Sequence, residues 1–466
     1  MSFYALHSKQ MALPGGMRDA TVIIREGLIS GIEEGLVTET GAGLLDMGDR
    51  VVMPGVIDPH VHINEPGRTD WEGYDTATRS ALAGGLTTLV DMPLNSSPVT
   101  TTAAAFDQKL AATAGQLHCN SGFWGGVVPG NEKEIGPLIN RGVLGFKAFL
   151  THSGIDEFPN VTEADLRTVM PVIAHYGLPL LVHCELESGR REAENSAVAG
   201  GDGRDRTAIG GRTDPRSYRN YLLSRPPGWE EDAIALMIRL CAEYRCRTHI
   251  VHVSSAGSID LIRKAKEKGL PLTAETAQHY LYFDAANIKE GATSFKCAPP
   301  IRSRENNDRL WEGLREGVID WVATDHSPAP PAMKELESGD FMKAWGGISS
   351  VQLALSALWT VTRKKGGVPG DLVKWLCEGP AALIGESGRR GKIIQGAIAD
   401  LVVWDPHREF LVTKEILQHK HKITPYLEER LYGVIGQTWL GGVRVFEDGV
   451  LTGFNQGKII LNRQDR

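Results

Sequence analysis

The sequence predicts an α/β fold, a (β/α)8 TIM-like barrel that carries a small β-sandwich domain formed from both chain ends. Eight short apolar runs alternate with segments long enough for helices, which is the pattern of parallel βα units. Alternating strand patterns precede and follow this central region. The length of 466 residues fits either two domains or one large barrel with a satellite, and the strand pattern favours the second.

Short strands with turn residues between them are predicted at both ends of the chain. Near the start they cover residues 20–25 and 28–32, and near the end they cover 399–404, 438–446 and 450–454. A Gly-Gly turn lies within the run 438–446, and an Asp-Gly turn separates it from 450–454. We expect the two ends to pair into one β domain. Residues 1–52 and 392–466 would then form this domain, and residues 53–391 would form the barrel.

The eight apolar runs between these ends are the predicted barrel strands. Amphipathic or alanine-rich stretches at 72–83, 163–176, 230–243, 259–268 and 307–317 are long enough for crossover helices. Segment 190–216 is rich in Gly, Arg and Asp and is predicted to be a long loop or a charged insertion on the active face. The predicted strands are 56–62, 87–92, 121–128, 143–150, 179–185, 248–254, 271–278 and 319–326.

Composition excludes several classes of function. A formal net charge of -7 provides no basic field for nucleic acid or an anionic membrane surface. No apolar run approaches the ~18 residues that span a bilayer, and the opening segment lacks the apolar core of a signal peptide. The six cysteines form no CxxC pair, which fits reduced thiols. We therefore expect a cytoplasmic protein that acts on a small molecule, without nucleic-acid or membrane partners.

Candidate metal ligands follow several of the predicted strands. The first strand ends in Asp58-Pro59-His60-Val61-His62, and residues two apart on a strand point the same way, toward the barrel mouth. Taken alone, the pair fits two packed or solvent-facing histidines equally well. Metal-capable residues recur, however, at the ends of other strands, where the active sites of barrel enzymes lie. These further candidates are Lys147, His183, His252 and Asp325.

Lys147 is the unusual member of this set, because divalent cations would repel a protonated ammonium group. Burial and the field of the cations both lower the pKa of such a lysine, and its neutral amine is a nucleophile toward carbon dioxide. The resulting carbamate would be an anionic ligand able to bridge two divalent ions. Imidazole and carboxylate ligands suit zinc, with Co, Mn, Fe or Ni as alternatives. The other interpretation of Lys147 is a solvated lysine at a strand end.

Neighbouring histidines are assigned other places by strand geometry. His249 lies three residues before His252, so it is predicted to point the opposite way and to pack in the core. His326 adjoins Asp325 and is predicted to face away, behind the ligands. His279 and His419 are predicted to lie either on the surface or behind the ligands.

These motifs resemble the cyclic amidohydrolases of the amidohydrolase superfamily, a group that includes dihydroorotases, hydantoinases or dihydropyrimidinases, and allantoinases. The resemblance covers nearly the whole chain and rests on GVIDPHVHINEPG, GFKAFL, VHCE, VHVSS, KCAPPIR, ATDHSP and ADLVVWDP. It implies the barrel, the β domain and a centre of two metal ions. The implied ligands are His60, His62 and Asp325 for one ion, His183 and His252 for the other, and Lys147, modified to N6-carboxylysine, as the bridge.

Smaller differences bear on which ring such an enzyme would open. Dihydroorotases follow the HxH pair with an arginine that binds the substrate carboxylate, whereas Asn64 stands here. Hydantoinases carry a substrate-binding tyrosine soon after the lysine, and the loop 149–158 has none. The run 62–100 instead resembles allantoinases, which implies opening of allantoin to allantoate in purine catabolism. A hydantoinase or dihydropyrimidinase is the alternative, followed by a dihydroorotase and a scaffold relative without catalysis.

The resemblance also implies a mechanism, in which a hydroxide bridging the two ions attacks the ring amide. Asp325 would take its proton and deliver it to the departing ring nitrogen. Candidate substrate contacts come from loops: Asn95 in MPLNSSP, Ser153 and Gly154 after the lysine strand, and Ala298 in CAPP. For Asn95 a simple Asx turn is an equal alternative. The family further implies a homo-oligomer, either a tetramer or a dimer.

Overall fold

The structure is a computed structural model and describes residues 3–38, 43–187 and 214–462. Its centre is a barrel of eight parallel strands, and each predicted run overlaps one of them. Most of the predicted loop at 190–216 lies outside the described residues. The barrel strands are Val56–Val61, Leu86–Asp91, Asn120–Phe123 with its continuation Gly125–Gly126, Phe146–Phe149, Pro179–His183, Arg247–Ile250, Leu272–Ala277 and Trp321–Ala323.

Hydrogen bonds between the first and last strands close the barrel. A parallel bridge joins Val61 to His326, and the His62 N–H donates to the carbonyl oxygen of His326 at 2.7 Å. Where the third strand is interrupted, the Gly125 N–H donates to the Gly145 carbonyl oxygen at 2.9 Å. The carboxyl ends of all eight strands therefore meet at one mouth. The predicted barrel is confirmed.

The helices follow amphipathic stretches of the sequence, as Glu163–His175 illustrates. Its N-terminus is a capping box, in which the Thr162 N–H donates to Asp165 Oδ2 at 2.8 Å and the Asp165 N–H donates to Thr162 Oγ1 at 3.4 Å. Leu166 and Ile173 lie on its buried face, two turns apart. The α-helices are Tyr74–Ala83, Ala103–Ala112, Ile135–Arg141, Glu163–His175, Tyr218–Ser224, Pro227–Tyr244, Ser258–Glu267, Gln278–Tyr282, Arg304–Arg315, Ala354–Lys364, Pro369–Val373 and Gly379–Leu383.

Both ends of the chain contribute to a second, nine-stranded sheet. Val51–Pro54 joins the two halves, because it pairs in parallel with Phe3–Leu13 and antiparallel with Leu401–Leu411. Val22 and Trp439, from opposite ends of the chain, are buried in the same apolar core. The predicted β domain from both chain ends is confirmed. Its strands are Phe3–Leu13, Gly16–Arg25, Leu28–Glu34, Gly43–Asp46, Val51–Pro54, Leu401–Leu411, Arg430–Leu440, Val443–Glu447 and Val450–Leu451.

Within residues 3–38, 43–187 and 214–462, every helix is too short or too polar to cross a lipid bilayer.

Candidate metal centre

A pocket of about 410 Å³ opens at the carboxyl ends of the barrel strands. The side chains predicted to bind metal or substrate converge there from separate strands and loops. Lys147 lies in the fourth strand and is fully buried. The predicted residues that line the pocket are His60, His62, Asn95, Ser153, Gly154, His183, His252, Ala298 and Asp325.

The first and last strands place two imidazoles on one carboxylate. His60 Nε2 lies 3.3 Å from Asp325 Oδ1, and His62 Nε2 lies 3.5 Å from the same oxygen. Donor atoms of His60, His252 and Asp325 all lie within 4.8 Å of one another, which is close enough to hold one metal ion. The HxH spacing therefore does what the strand period predicts, since both rings reach the mouth.

His183 and His252 form the other half of the centre. His183 Nδ1 and His252 Nε2 are 2.9 Å apart. The rings of His60 and His252 have centroids 5.4 Å apart, so the two halves are contiguous. His252 and Asp325 both have positive φ, 39° and 47°. Such backbone is sparsely populated for residues with a side chain and concentrates at functional sites.

Glu275 fixes the ring of His60 from behind. Its Oε1 accepts a hydrogen bond from His60 Nδ1 at 2.5 Å, so Nε2 of the same ring is left to face the pocket. Its Oε2 accepts from Trp321 Nε1 at 2.9 Å and lies 3.2 Å from His249 Nε2. Sequence reasoning did not single out Glu275, and the signal available was an acid within an otherwise uncharged run. His249 packs against Trp321, as predicted.

Two further polar side chains fix the rings of His62 and His183. Glu185 Oε2 lies 2.9 Å from His183 Nε2 and is ion-paired with Arg225. The Asn95 side chain lies 3.2 Å from His62 Nδ1, so its amide oxygen would accept from that ring nitrogen with the amide in the other orientation. A carboxylate or amide on the second ring nitrogen is the usual support of a metal-binding histidine. Glu185 stands two residues after His183, a spacing that could have revealed it.

The pKa values of these groups suit metal binding. Burial lowers the pKa of His62, His183 and His252, so all three imidazoles are neutral near pH 7. Burial alone would raise the pKa of the Asp325 carboxyl, but His60 and His62 beside it lower that pKa to about 2. Neutral imidazole and ionised carboxylate are the forms that bind divalent metal ions.

Lys147 has surroundings unlike those of an ordinary lysine. Its side chain is fully buried, and its Nζ has no hydrogen-bond partner among the described residues. Burial lowers the pKa of Lys147 to about 8 against the opposing effect of Asp325 and Glu275. A buried amine without a partner is costly, so the site is better suited to a modified side chain that receives bonds from its surroundings. The predicted bridging role fits this observation.

The predicted substrate residues differ in how far their side chains are available. Ser153 Oγ donates to the Phe158 carbonyl oxygen at 2.7 Å, so its hydroxyl is already engaged within the loop. Gly154 has a φ of 99°, which favours glycine. Ala298 faces the pocket with a methyl group. Any polar contact from Gly154 or Ala298 must therefore come from the backbone.

Comparisons with known proteins agree with this fold. Residues 51–445 match the model of the amidohydrolase family. The chain belongs to this family. It is 42% identical over 448 residues to an allantoinase from Streptomyces avermitilis, covering 96% of each chain. It is also 46% identical over 381 residues to a mitochondrial allantoinase from Aquarana catesbeiana, covering 82% of this chain and 75% of that protein.

A solved structure extends the likeness to three dimensions. The L-hydantoinase (dihydropyrimidinase) from Arthrobacter aurescens superposes with a TM-score of 0.89 at 28% identity, covering 99% of this chain and 100% of that chain. The resemblance to cyclic amidohydrolases, and to allantoinases among them, is thereby confirmed.

Proposed function

We propose that this chain hydrolyses the cyclic amide bond of allantoin and releases allantoate. The observation that carries the proposal is the convergence of four imidazoles and a carboxylate on one pocket, with the buried Lys147 close enough to interact with that carboxylate, in a chain 42% identical to an allantoinase. A hydantoinase is the second candidate, because the Arthrobacter aurescens hydantoinase shares the fold along 99% of this chain. Both candidates are hydrolases of cyclic amides.

The residues at the centre would hold two divalent metal ions, zinc first and Co, Mn, Fe or Ni as alternatives. Lys147 would carry a carbamate derived from carbon dioxide. The observation in favour of this modification is that its Nζ is buried and has no hydrogen-bond partner among the described residues. When bound, such ions polarise a carbonyl group and lower the pKa of water. The proposed ligands are His60, His62 and Asp325 for one ion, His183 and His252 for the other, and carbamylated Lys147 between them.

Asp325 is the proposed catalytic residue. Its lowered pKa keeps the carboxylate ionised near neutral pH, so it is ready to accept the proton of the attacking water. It then delivers that proton to the ring nitrogen as the amide bond breaks. Its Oδ1 atom faces His60 and His62 within 3.5 Å, so the carboxylate is held at the mouth throughout. Asn95, Ser153, Gly154 and Ala298 remain the proposed substrate contacts, on the strength of their places in the pocket.

Three further proposals concern the molecule as a whole. We place the barrel at residues 53–391 and the β domain at 1–52 and 392–466. We propose a homo-oligomer, either a tetramer or a dimer, which light scattering on the purified protein would test. We also propose a cytoplasmic location, in contrast to the relative named as mitochondrial, and fractionation of the source cells would test it.

The test of the ring assignment is a comparison of four substrates. Purified enzyme is offered allantoin, hydantoin, dihydrouracil and dihydroorotate, and initial rates are measured under the same conditions. We expect allantoin to be opened far faster than the other three. A preference for hydantoin or dihydrouracil would move the assignment to the second candidate, and a protein that binds metal but opens none of the rings would contradict both.

A further inference from the structure

One side of the pocket is formed by a segment that neither the metal centre nor the predicted substrate loops include. Residues 342–347, hereafter the wall segment, follow the last barrel strand. Met342, Ala344, Trp345 and Gly346 from this segment line the pocket. Its backbone takes part in no barrel strand. Its position must therefore come from other contacts.

Two lysine ammonium groups provide four of these contacts. Two backbone hydrogen bonds add to them, from the Ala344 N–H to the Asp340 carbonyl oxygen at 3.0 Å and from the Trp345 N–H to the Met333 carbonyl oxygen at 2.7 Å. Lys334 Nζ donates to the carbonyl oxygens of Trp345 at 2.9 Å, Gly347 at 2.8 Å and Lys296 at 3.2 Å. All three of its N–H groups are thus in use. Lys296 Nζ donates to the carbonyl oxygens of Met342 at 3.1 Å and Ala344 at 2.6 Å. Four carbonyl groups of the wall segment are therefore held by two side chains.

Within the part of the chain that the structure describes, the hydrogen-bond partners of both ammonium groups are backbone carbonyl oxygens, and Asp340 attracts Lys296 only from a longer distance. Among the described residues, no Asp or Glu oxygen lies within 4.0 Å of Lys296 Nζ or Lys334 Nζ. Lys334 is 3% exposed. Burial lowers the pKa of Lys334 to about 7 and that of Lys296 to about 8. Burying an ammonium group without a counter-charge is costly, which is why both pKa values fall, and the carbonyl oxygens of the wall segment offset part of this cost.

The wall segment also lies beside two of the proposed substrate contacts, Gly154 and Ala298. A Cβ atom added at Gly154 would lie 3.3 Å from the Trp345 ring, and one added at Gly346 would lie 3.7 Å from the Ala298 Cβ. On its other side the Trp345 ring packs edge-on against Trp71, with centroids 4.9 Å apart. A shift of the wall segment would therefore change the width of the pocket while leaving the ends of the barrel strands in place.

We propose that Lys296 and Lys334 are positioning residues that fix the wall segment, and that they thereby determine which ring substituents the pocket accepts. The inference rests on the proposed ring-opening function, since it assigns a role in substrate selection. Neither lysine is a proposed ligand of the metal ions or a carrier of the proton. Their effect is expected on substrate binding and selectivity, with the metal centre left intact.

The experiment compares Lys334→Met and Lys296→Met with the unmodified enzyme. Both substitutions keep an unbranched chain but remove the donors. We expect the KM for allantoin to rise on the order of 10- to 100-fold with a much smaller change in kcat, because a wall displaced by about 1 Å misplaces the substrate. Preference for allantoin over hydantoin should fall in parallel. Metal content, measured by elemental analysis, should stay unchanged.

Hydrogen exchange supplies a readout that does not depend on activity. Peptides covering residues 333–347 should take up deuterium faster in both variants, because the wall segment loses its anchors. The matched control is Lys422→Met. Lys422 Nζ donates to the carbonyl oxygens of Leu417 at 2.6 Å and His419 at 2.7 Å, on the loop between strands Leu401–Leu411 and Arg430–Leu440. That variant should leave KM, selectivity and exchange at 333–347 unchanged.

Defined outcomes would overturn the inference. The inference is contradicted if Lys334→Met folds and has the KM and the hydrogen exchange of the unmodified enzyme. It is also contradicted if this variant loses metal in step with kcat. If Lys334→Met fails to fold, Lys296→Met decides by the same measurements, since Lys296 lies at the pocket surface. If the unmodified enzyme opens another ring fastest, the ring assignment fails, and the KM and exchange comparison is then made with that ring.

Discussion

Two buried histidines, one in the β domain and one at the barrel mouth, lie between pairs of carboxylates and yet serve different ends. In the β domain, His7 Nδ1 lies 2.7 Å from Asp46 Oδ1 and its Nε2 lies 2.8 Å from Asp19 Oδ1. Both nitrogens are within hydrogen-bond distance of an acceptor, so the ring is satisfied as an imidazolium. Both carboxylates are about half exposed, at 50% and 55%. This arrangement joins three strands and leaves neither ring nitrogen of His7 available to bind a metal ion.

At the barrel mouth the second carboxylate is shared. His60 Nδ1 is bound to Glu275 at 2.5 Å, but its Nε2 is 3.3 Å from Asp325 Oδ1, and His62 Nε2 competes for the same oxygen at 3.5 Å. These carboxylates are buried, with Glu275 fully so. A histidine is therefore suited to bind a metal ion when one ring nitrogen is fixed from behind and the other converges with further donors. Residue type and a nearby carboxylate alone do not decide it.

The largest effect should come from removing the lysine at the barrel mouth. Lys147→Ala should lose metal and activity together, by on the order of 10³-fold in kcat/KM, since the metal ions contribute several kcal/mol to the transition state. A short carboxylic acid added to this variant should restore part of both by replacing the missing carbamate. Metal content is measured by elemental analysis and turnover with allantoin. Normal metal and turnover in Lys147→Ala would remove the bridge from the proposed centre.

The comparison of His60 with His7 is tested by replacing a carboxylate beside each histidine with the corresponding amide. Glu275→Gln removes the charge behind His60 and should lower metal affinity by roughly 10- to 100-fold, the usual effect of losing such a partner. Asp19→Asn makes the equivalent change beside His7 and should leave metal affinity unaltered. Affinity is measured by titration against a competing chelator. Equal effects from the two variants would mean that the carboxylates act through general stability.

How much of the fold and of the candidate site could be predicted from the sequence depends on how close together in the chain the interacting residues lie. The strands and the places of His60 and His183 at the pocket could be predicted, because each histidine lies at the end of an apolar run and the strand period gives its direction. Glu275 acts on a residue 215 positions away. Its role therefore depends on pairing across the barrel that no local pattern displays. The wall segment was missed for a related reason, since its anchors are side chains bonding to backbone carbonyls, which any sequence can offer.

A smaller effect is expected from the neutral support of His62. Asn95 has a φ of 69°, which suits Asn, Asp or Gly. Asn95→Gly removes the side chain without straining the backbone and should reduce metal affinity by about 10-fold, at the low end of such losses. Asn95→Asp keeps an acceptor for His62 Nδ1 and should retain the metal. If Asn95→Gly instead keeps its metal and only its KM for allantoin rises, Asn95 is a substrate contact rather than a support for the ring.

The smallest effect concerns His7 and depends on pH. Burial of the ring opposes its protonation, but the hydrogen bonds to Asp46 and Asp19 outweigh burial and raise the pKa of His7. A raised pKa in the folded state contributes stability below the unfolded value near 6.5, and this contribution is lost as pH rises through the folded value. His7→Gln should therefore lower stability by about 1 kcal/mol at pH 5.5, because the carboxylates are half exposed, and by less at pH 9. Thermal unfolding of both proteins at the two pH values measures this, and metal content should stay equal throughout. A loss of stability in His7→Gln that grows with pH would mean that His7 is neutral in the folded protein. The comparison with His60 would then no longer include an imidazolium.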